Sequence, residues 1–368
     1  MALAVVALFA GLWGGLIRLG LSLPHVATAA GEAHGPLMAL GFLGALVSLE
    51  RAVALGRRWA YVAPLAAGAG GLVTVAGAPD AYGPALLTLA GGVLVVAHLR
   101  IDRLQRSAHN AVMGLGAAAW CAATVLWLAG EDVPRFAPLL AGFLVLTIVG
   151  ERLELTRVTP RSRRERLALL AAIAVFCAGL IVSIPAERAG IRMAGAGLLG
   201  QAVWLLRGDV ARRTVRMAGV TRYMALALLT GYAWLACGGV LWAIWAAVGD
   251  GPAYDASLHA VFLGFVMSMV FAHAPVIVPA VLRVRLPFRR GFYAHLGMLH
   301  ASLALRLAGG DWAVDAALWR AGGIGGELAI VLFLGASAAA VLGARRAARR
   351  NLRQPAEAIR MRQAGAGG

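Results

Sequence analysis

Apolar runs follow one another along the whole chain, separated by short links rich in arginine, glycine and proline. A helix needs roughly 20 apolar residues to span the hydrocarbon core of a bilayer. Segments of that kind fall at about 2–23, 35–55, 59–77, 84–100, 109–129, 134–155, 166–184, 187–206, 219–247, 256–280, 291–308 and 324–343. The pattern predicts an all-α polytopic membrane protein of about 12 transmembrane helices, one domain over 1–343 with a basic tail over 344–368. The first segment has no basic leader and no A-x-A cleavage site, so it reads as a retained helix.

Composition sharpens this reading. With 61% hydrophobic and 14% charged residues and a mean hydropathy of +0.78, a water-soluble enzyme is excluded. The formal charge of +17 would point to nucleic acid in a soluble protein, but here it has a topological origin. All 34 basic residues are Arg, and 28 of them fall in alternate links or the tail. Only Arg18, Arg135, Arg188, Arg192, Arg306 and Arg320 fall on the other side. Positive charge stays on the cytoplasmic face, so both termini are expected in the cytoplasm, with membrane lipid and not nucleic acid as the surroundings. Cys121, Cys177 and Cys237 lie in apolar runs, as packing residues do.

The sequence also repeats. Segment 2 reads HGPLMALGFLGALVSLER from His34, segment 6 reads RFAPLLAGFLVLTIVGER from Arg135, and segment 10 reads LHAVFLGFVMSMVFAHA from Leu258. Each carries a Gly-Phe pair (Gly41-Phe42, Gly142-Phe143, Gly264-Phe265), with a polar residue nine places after the glycine: Glu50, Glu151 or His273. A Leu-Arg-x-Asp echo follows segments 4 and 8. Matches in the same order predict three related four-helix units, over about 1–130, 131–250 and 251–343.

Ionisable groups at membrane depth are costly and therefore candidates for function. His34 and His259 open segments 2 and 10 on the outer side, at depths that differ by about 3 Å of helix rise. Neutral imidazole is a common axial ligand of haem iron, and helical bundles often hold cofactors between facing helices. The pair is therefore a candidate bis-histidine site for haem b, against the plainer reading of two interfacial histidines bonded to loop carbonyls. Towards the inner side, His273, His295 and His300 could hold a metal, with Glu50 and Glu151 nearby. The plainer reading there is that Glu50-Arg51 and Glu151-Arg152 are ion pairs closing helix ends. His98 and His109 flank an inner link, and His25 is a surface residue or a substitute ligand. The same four charged residues would serve a cofactor-free, ion- or proton-coupled transporter as its relay. No catalytic residue is assigned.

His34 to Phe42, Gly150 to Arg152 and His259-Ala260-Val261 resemble motifs of the NnrS family, bacterial membrane proteins that contain haem and copper and are linked to nitric oxide stress. The architecture is also similar to the main subunit of haem-copper oxidases and nitric oxide reductases, where three four-helix arcs hold a haem by outer histidines of helices 2 and 10. The resemblance implies a prokaryotic inner-membrane protein that binds haem b, and binds nitric oxide or exchanges electrons with a redox partner. The family's double histidine of helix 2 is replaced by Glu32-Ala33-His34, and segments 6 and 7 carry no histidine where the oxidase copper site needs them. Copper is therefore the weaker half of the resemblance.

Overall fold

The computed structural model describes residues 1–24, 29–78, 81–155, 161–247 and 249–365; His25 and Arg157 lie outside them. The described residues are helical with no strand. In chain order the helices are α1 (Ala2–Arg18), α2 (His34–Leu55), α3 (Val62–Val75), α4 (Tyr82–Leu104), α5 (Ala108–Leu128), α6 (Val133–Leu155), α7 (Arg163–Val182), α8 (Glu187–Gly208), α9 (Gly219–Trp245), α10 (252–282), α11 (Phe292–Leu305) and α12 (Ala316–Gly365). Nine of these, among the described residues, are long and apolar enough to cross a membrane; α1, α3 and α11 are shorter.

Local chemistry sets the helix ends. Ser162 and Glu165 form a reciprocal capping box at the start of α7, and the Ser107 side chain accepts from the Asn110 N–H at the start of α5. Gly56, at φ +63°, lets α2 stop in a left-handed turn, where a Cβ would be strained. Pro252 occupies the first turn of α10, where its missing N–H costs nothing.

Two helices depart from α geometry within the bundle. α2 passes into a π-helix over Leu37–Gly44 and α10 into another over Ala260–Met267. Each is eight residues long, and the glycine of the Gly-Phe pair is fifth in both. π turns are rare and concentrate at functional sites. α6 carries its Gly142-Phe143 pair on an uninterrupted α-helix instead. A third π stretch, Arg306–Trp312, continues α11 at its far end.

The glycines of all three pairs allow close approach of neighbours. A Cβ on Gly41 would lie 2.9 Å from Ala7 of α1, and one on Gly142 or Gly264 would come within 2.5 Å of Leu180 of α7 or Trp234 of α9. Small residues serve this purpose where lipid is as apolar as the side chains. α6 is the central helix, with 83% of its most apolar window buried, against 28% in α7 and 22% in α12. The exposed leucines, valines and isoleucines of the peripheral helices face the lipid side of such a bundle. Phe136, Phe143, Phe265 and Phe271 fill the interior.

Candidate cofactor-binding site

The broken start of α2 and the regular first turns of α10 bring His34 and His259 to a wall shared by two adjoining cavities. The deeper one, of about 140 Å³, is lined mainly by apolar side chains such as Leu12, Met38, Leu43, Leu140, Phe262 and Ile330. The other, of about 450 Å³, has more charged side chains around it, among them Glu32, Asp250, Asp255 and Asp311. Arg18 and Arg306 border both.

Hydrogen bonds fix the tautomers of the two histidines. His34 Nδ1 lies 2.6 Å from the Gly11 carbonyl oxygen, and His259 Nδ1 lies 2.9 Å from the Asp255 carbonyl oxygen. A carbonyl can only accept, so each Nδ1 carries a proton, and in the neutral imidazole each Nε2 keeps its lone pair. No described residue donates to either lone pair. This is the arrangement found behind ligating histidines, whose second nitrogen donates to a carbonyl or carboxylate that fixes tautomer and orientation.

His259 has the firmer support. The Asp255 carboxylate lies 3.3 Å from its Nδ1 and is gripped by Arg306, whose Nε and Nη2 each donate at 2.7 Å. Trp319 Nε1–H donates to the same carboxylate at 3.2 Å, and the Arg306 guanidinium lies over the Trp319 ring. Asp311 is buried beside this cluster, with its carboxyl against that of Asp255. Glu327 of α12 lines the apolar cavity near His34: a methyl group on Gly15 would overlap Glu327 Oε1 and come within 3.1 Å of His34 Cε1.

The inner histidines have other uses. His273 donates from Nδ1 to the Met269 carbonyl at 2.6 Å, and its Nε2 lone pair accepts from Arg152 Nη2, also at 2.6 Å. His295 pairs with the Tyr223 hydroxyl at 3.0 Å inside a box of Phe271, Phe292 and Phe333. His300 Nδ1 accepts from Trp234 Nε1–H at 3.0 Å. These three are therefore held apart by separate partners, and among the described residues no three of His, Cys, Asp and Glu gather as a metal-ligand set.

The inner charges pair across helices. Arg51 bonds both Glu50, at 3.2 Å, and Glu151 of α6, at 3.1 Å. Arg152 turns away from its neighbour Glu151 to His273 of α10. Tyr232 of α9 donates to Asp209 at 2.8 Å, His98 of α4 bonds Asn110 of α5, and His109 lies 3.7 Å from Glu154. Sequence spacing alone did not pick out Asp255, Arg306, Trp319, Asp311 or Glu327. Two signals were available: Asp255 stands four residues before His259, one helical turn, and Glu327 interrupts an otherwise apolar run.

Among protein families, the one described as Domain of unknown function (DUF8744) matches residues 1–342. No curated protein and no solved structure matches the chain.

Proposed function

The chain belongs to that family of unknown function, and from that premise we propose that it is a haem b protein of the prokaryotic cytoplasmic membrane, in which His34 and His259 would hold the iron. The observation that carries this reading is the pair of unengaged Nε2 lone pairs on the shared wall of the two cavities, each imidazole locked by an Nδ1–H···O=C bond. Haem supplies a reversible one-electron couple and, where a position opens, a site for small gaseous ligands. The residues present suit it. The two adjoining cavities together offer the room, apolar walls such as Leu258, Leu140 and Phe262 offer contacts for a macrocycle, and Arg18 and Arg306 at the border offer cations for carboxylate side arms.

The protein is read as 12 transmembrane helices in three four-helix units with both termini cytoplasmic. The matched registers of the two π-helices, each with glycine at its fifth place, support the relation of the first unit to the third. The role that follows is nitric oxide binding or response, or electron exchange with a redox partner; copper is left out because the inner histidines already have partners.

The test is the reduced-minus-oxidised visible spectrum, with iron content, of detergent-purified protein expressed with ample haem. A low-spin b-type spectrum that disappears in the His34→Ala, His259→Ala double variant is the expected result. A colourless, iron-free wild type would overturn the reading and turn attention to ion-coupled flux through Glu50, Arg51, Glu151 and Arg152.

A further inference from the structure

The two candidate ligands are unequally held, and the difference has a direction. His259 ends a regular eight-residue helical segment, Pro252–His259, and its ring nitrogen faces two oxygens of one residue, the Asp255 carbonyl at 2.9 Å and carboxylate at 3.3 Å. That carboxylate is itself fixed by three donors, two from Arg306 and one from Trp319. Because Arg306 shares the negative charge, the clamp acts on His259 chiefly by orientation.

His34 lacks all of this. It stands in a three-residue α segment, His34–Pro36, between Ala33 at φ −87°, ψ 9° and the first π-helix. Its one hydrogen bond is to the Gly11 carbonyl, which as an α-helical carbonyl inside α1 loses little if the ring turns away. Beside the ring is Glu327, whose Oε2 is buried without a partner. The site thus has one ligand with a fixed mount and one with a loose mount, next to a carboxyl that can receive its imidazole.

We infer that His34 is the exchangeable ligand and His259 the permanent one, so that the open position for a small neutral diatomic ligand forms on the His34 side, within the apolar cavity. This rests on the haem reading above. The apolar part of the lining there, Leu12, Leu43, Leu140, Phe262 and Leu263, suits an uncharged guest. Glu327 is a positioning residue for the displaced His34 ring.

Full-length His34→Gly and His259→Gly proteins, expressed with ample haem, test the asymmetry. The readouts are haem retained per protein after gel filtration, the spectrum of the reduced protein with carbon monoxide, and recovery of the low-spin spectrum with added imidazole. His34→Gly is expected to keep its haem, bind carbon monoxide readily and return to the low-spin spectrum with imidazole, which also shows that it is folded. His259→Gly is expected to retain about 10- to 100-fold less haem. As a variant that spares both ligands, Asp255→Asn is expected to lose haem faster than wild type, whereas Glu327→Gln should keep it and bind carbon monoxide more slowly. Equal retention in the two glycine variants, or loss confined to His34→Gly, would overturn the inference while leaving the haem reading standing. A wild type that takes up no haem would overturn both.

Discussion

The two ends of α10, outer and inner in the topology proposed above, carry a histidine each, 14 residues apart, and the two histidines do different things with the same Nδ1 donor. Both donate from Nδ1 to a carbonyl within their own helix. At the inner end the Nε2 lone pair of His273 is consumed by Arg152, and the surrounding charges close on one another. At the outer end the Nε2 of His259 has no hydrogen-bond partner among the described residues, nor has that of His34, and both histidines line the two cavities. The lesson is that the partner of a histidine, and not its depth or helix, separates a structural imidazole from a ligand.

That contrast can be broken by substitution. The largest effect is expected from Arg306→Ala, which leaves the Asp255 carboxylate without both 2.7 Å bonds. Breaking a buried pair on one side costs about 3–5 kcal/mol, so its melting temperature and its haem retention should fall together. A variant that melts like wild type would show that the clamp is not structural. Next comes Arg152→Met, which strips His273 Nε2 of its donor. A loss of about 1–3 kcal/mol with an unchanged visible spectrum is expected, and a changed spectrum would mean that the inner end belongs to the same site.

Smaller effects sharpen the boundary. Tyr232→Phe removes the 2.8 Å bond to Asp209 and should lower stability by about 1 kcal/mol, again without spectral change, as read from thermal melts in detergent. The smallest is His34→Ala in cofactor-free protein, expected within about 1 kcal/mol of wild type because one hydrogen bond at a cavity wall is lost. A severe loss there would make His34 a structural residue.

Much of the helical layout could be read from the chain because a run of about 20 apolar residues has few other uses. Helix ends were less legible: the cap made by Ser162 and Glu165 starts α7 at Arg163, ahead of the apolar run at 166, because the first turn is charged. The π stretches were not legible, since Leu37–Gly44 and Ala260–Met267 have the same apolar composition an α-helix would have. Of the site, the outer histidines could be picked by position, while Asp255 and Arg306 are 51 residues apart and meet only through the packing of α10 against the far end of α11. Glu151-Arg152 shows the same limit: adjacency suggested a local pair, yet the two side chains serve different helices, α2 and α10.

The unequal geometry of α2 and α6 also bears on which insertions and deletions the chain can absorb. A π stretch carries one residue more than the α-helix it interrupts, so removing a residue from Leu37–Gly44 lets α2 tighten into regular helix with His34 and Glu50 still in phase with their neighbours. In α6, which has no such slack, the same deletion turns one half of the helix by about 100° and swings Glu151 and Arg152 away from Arg51 and His273. Length variation in this helix pair should therefore be tolerated at the cavity end of α2 and refused along α6.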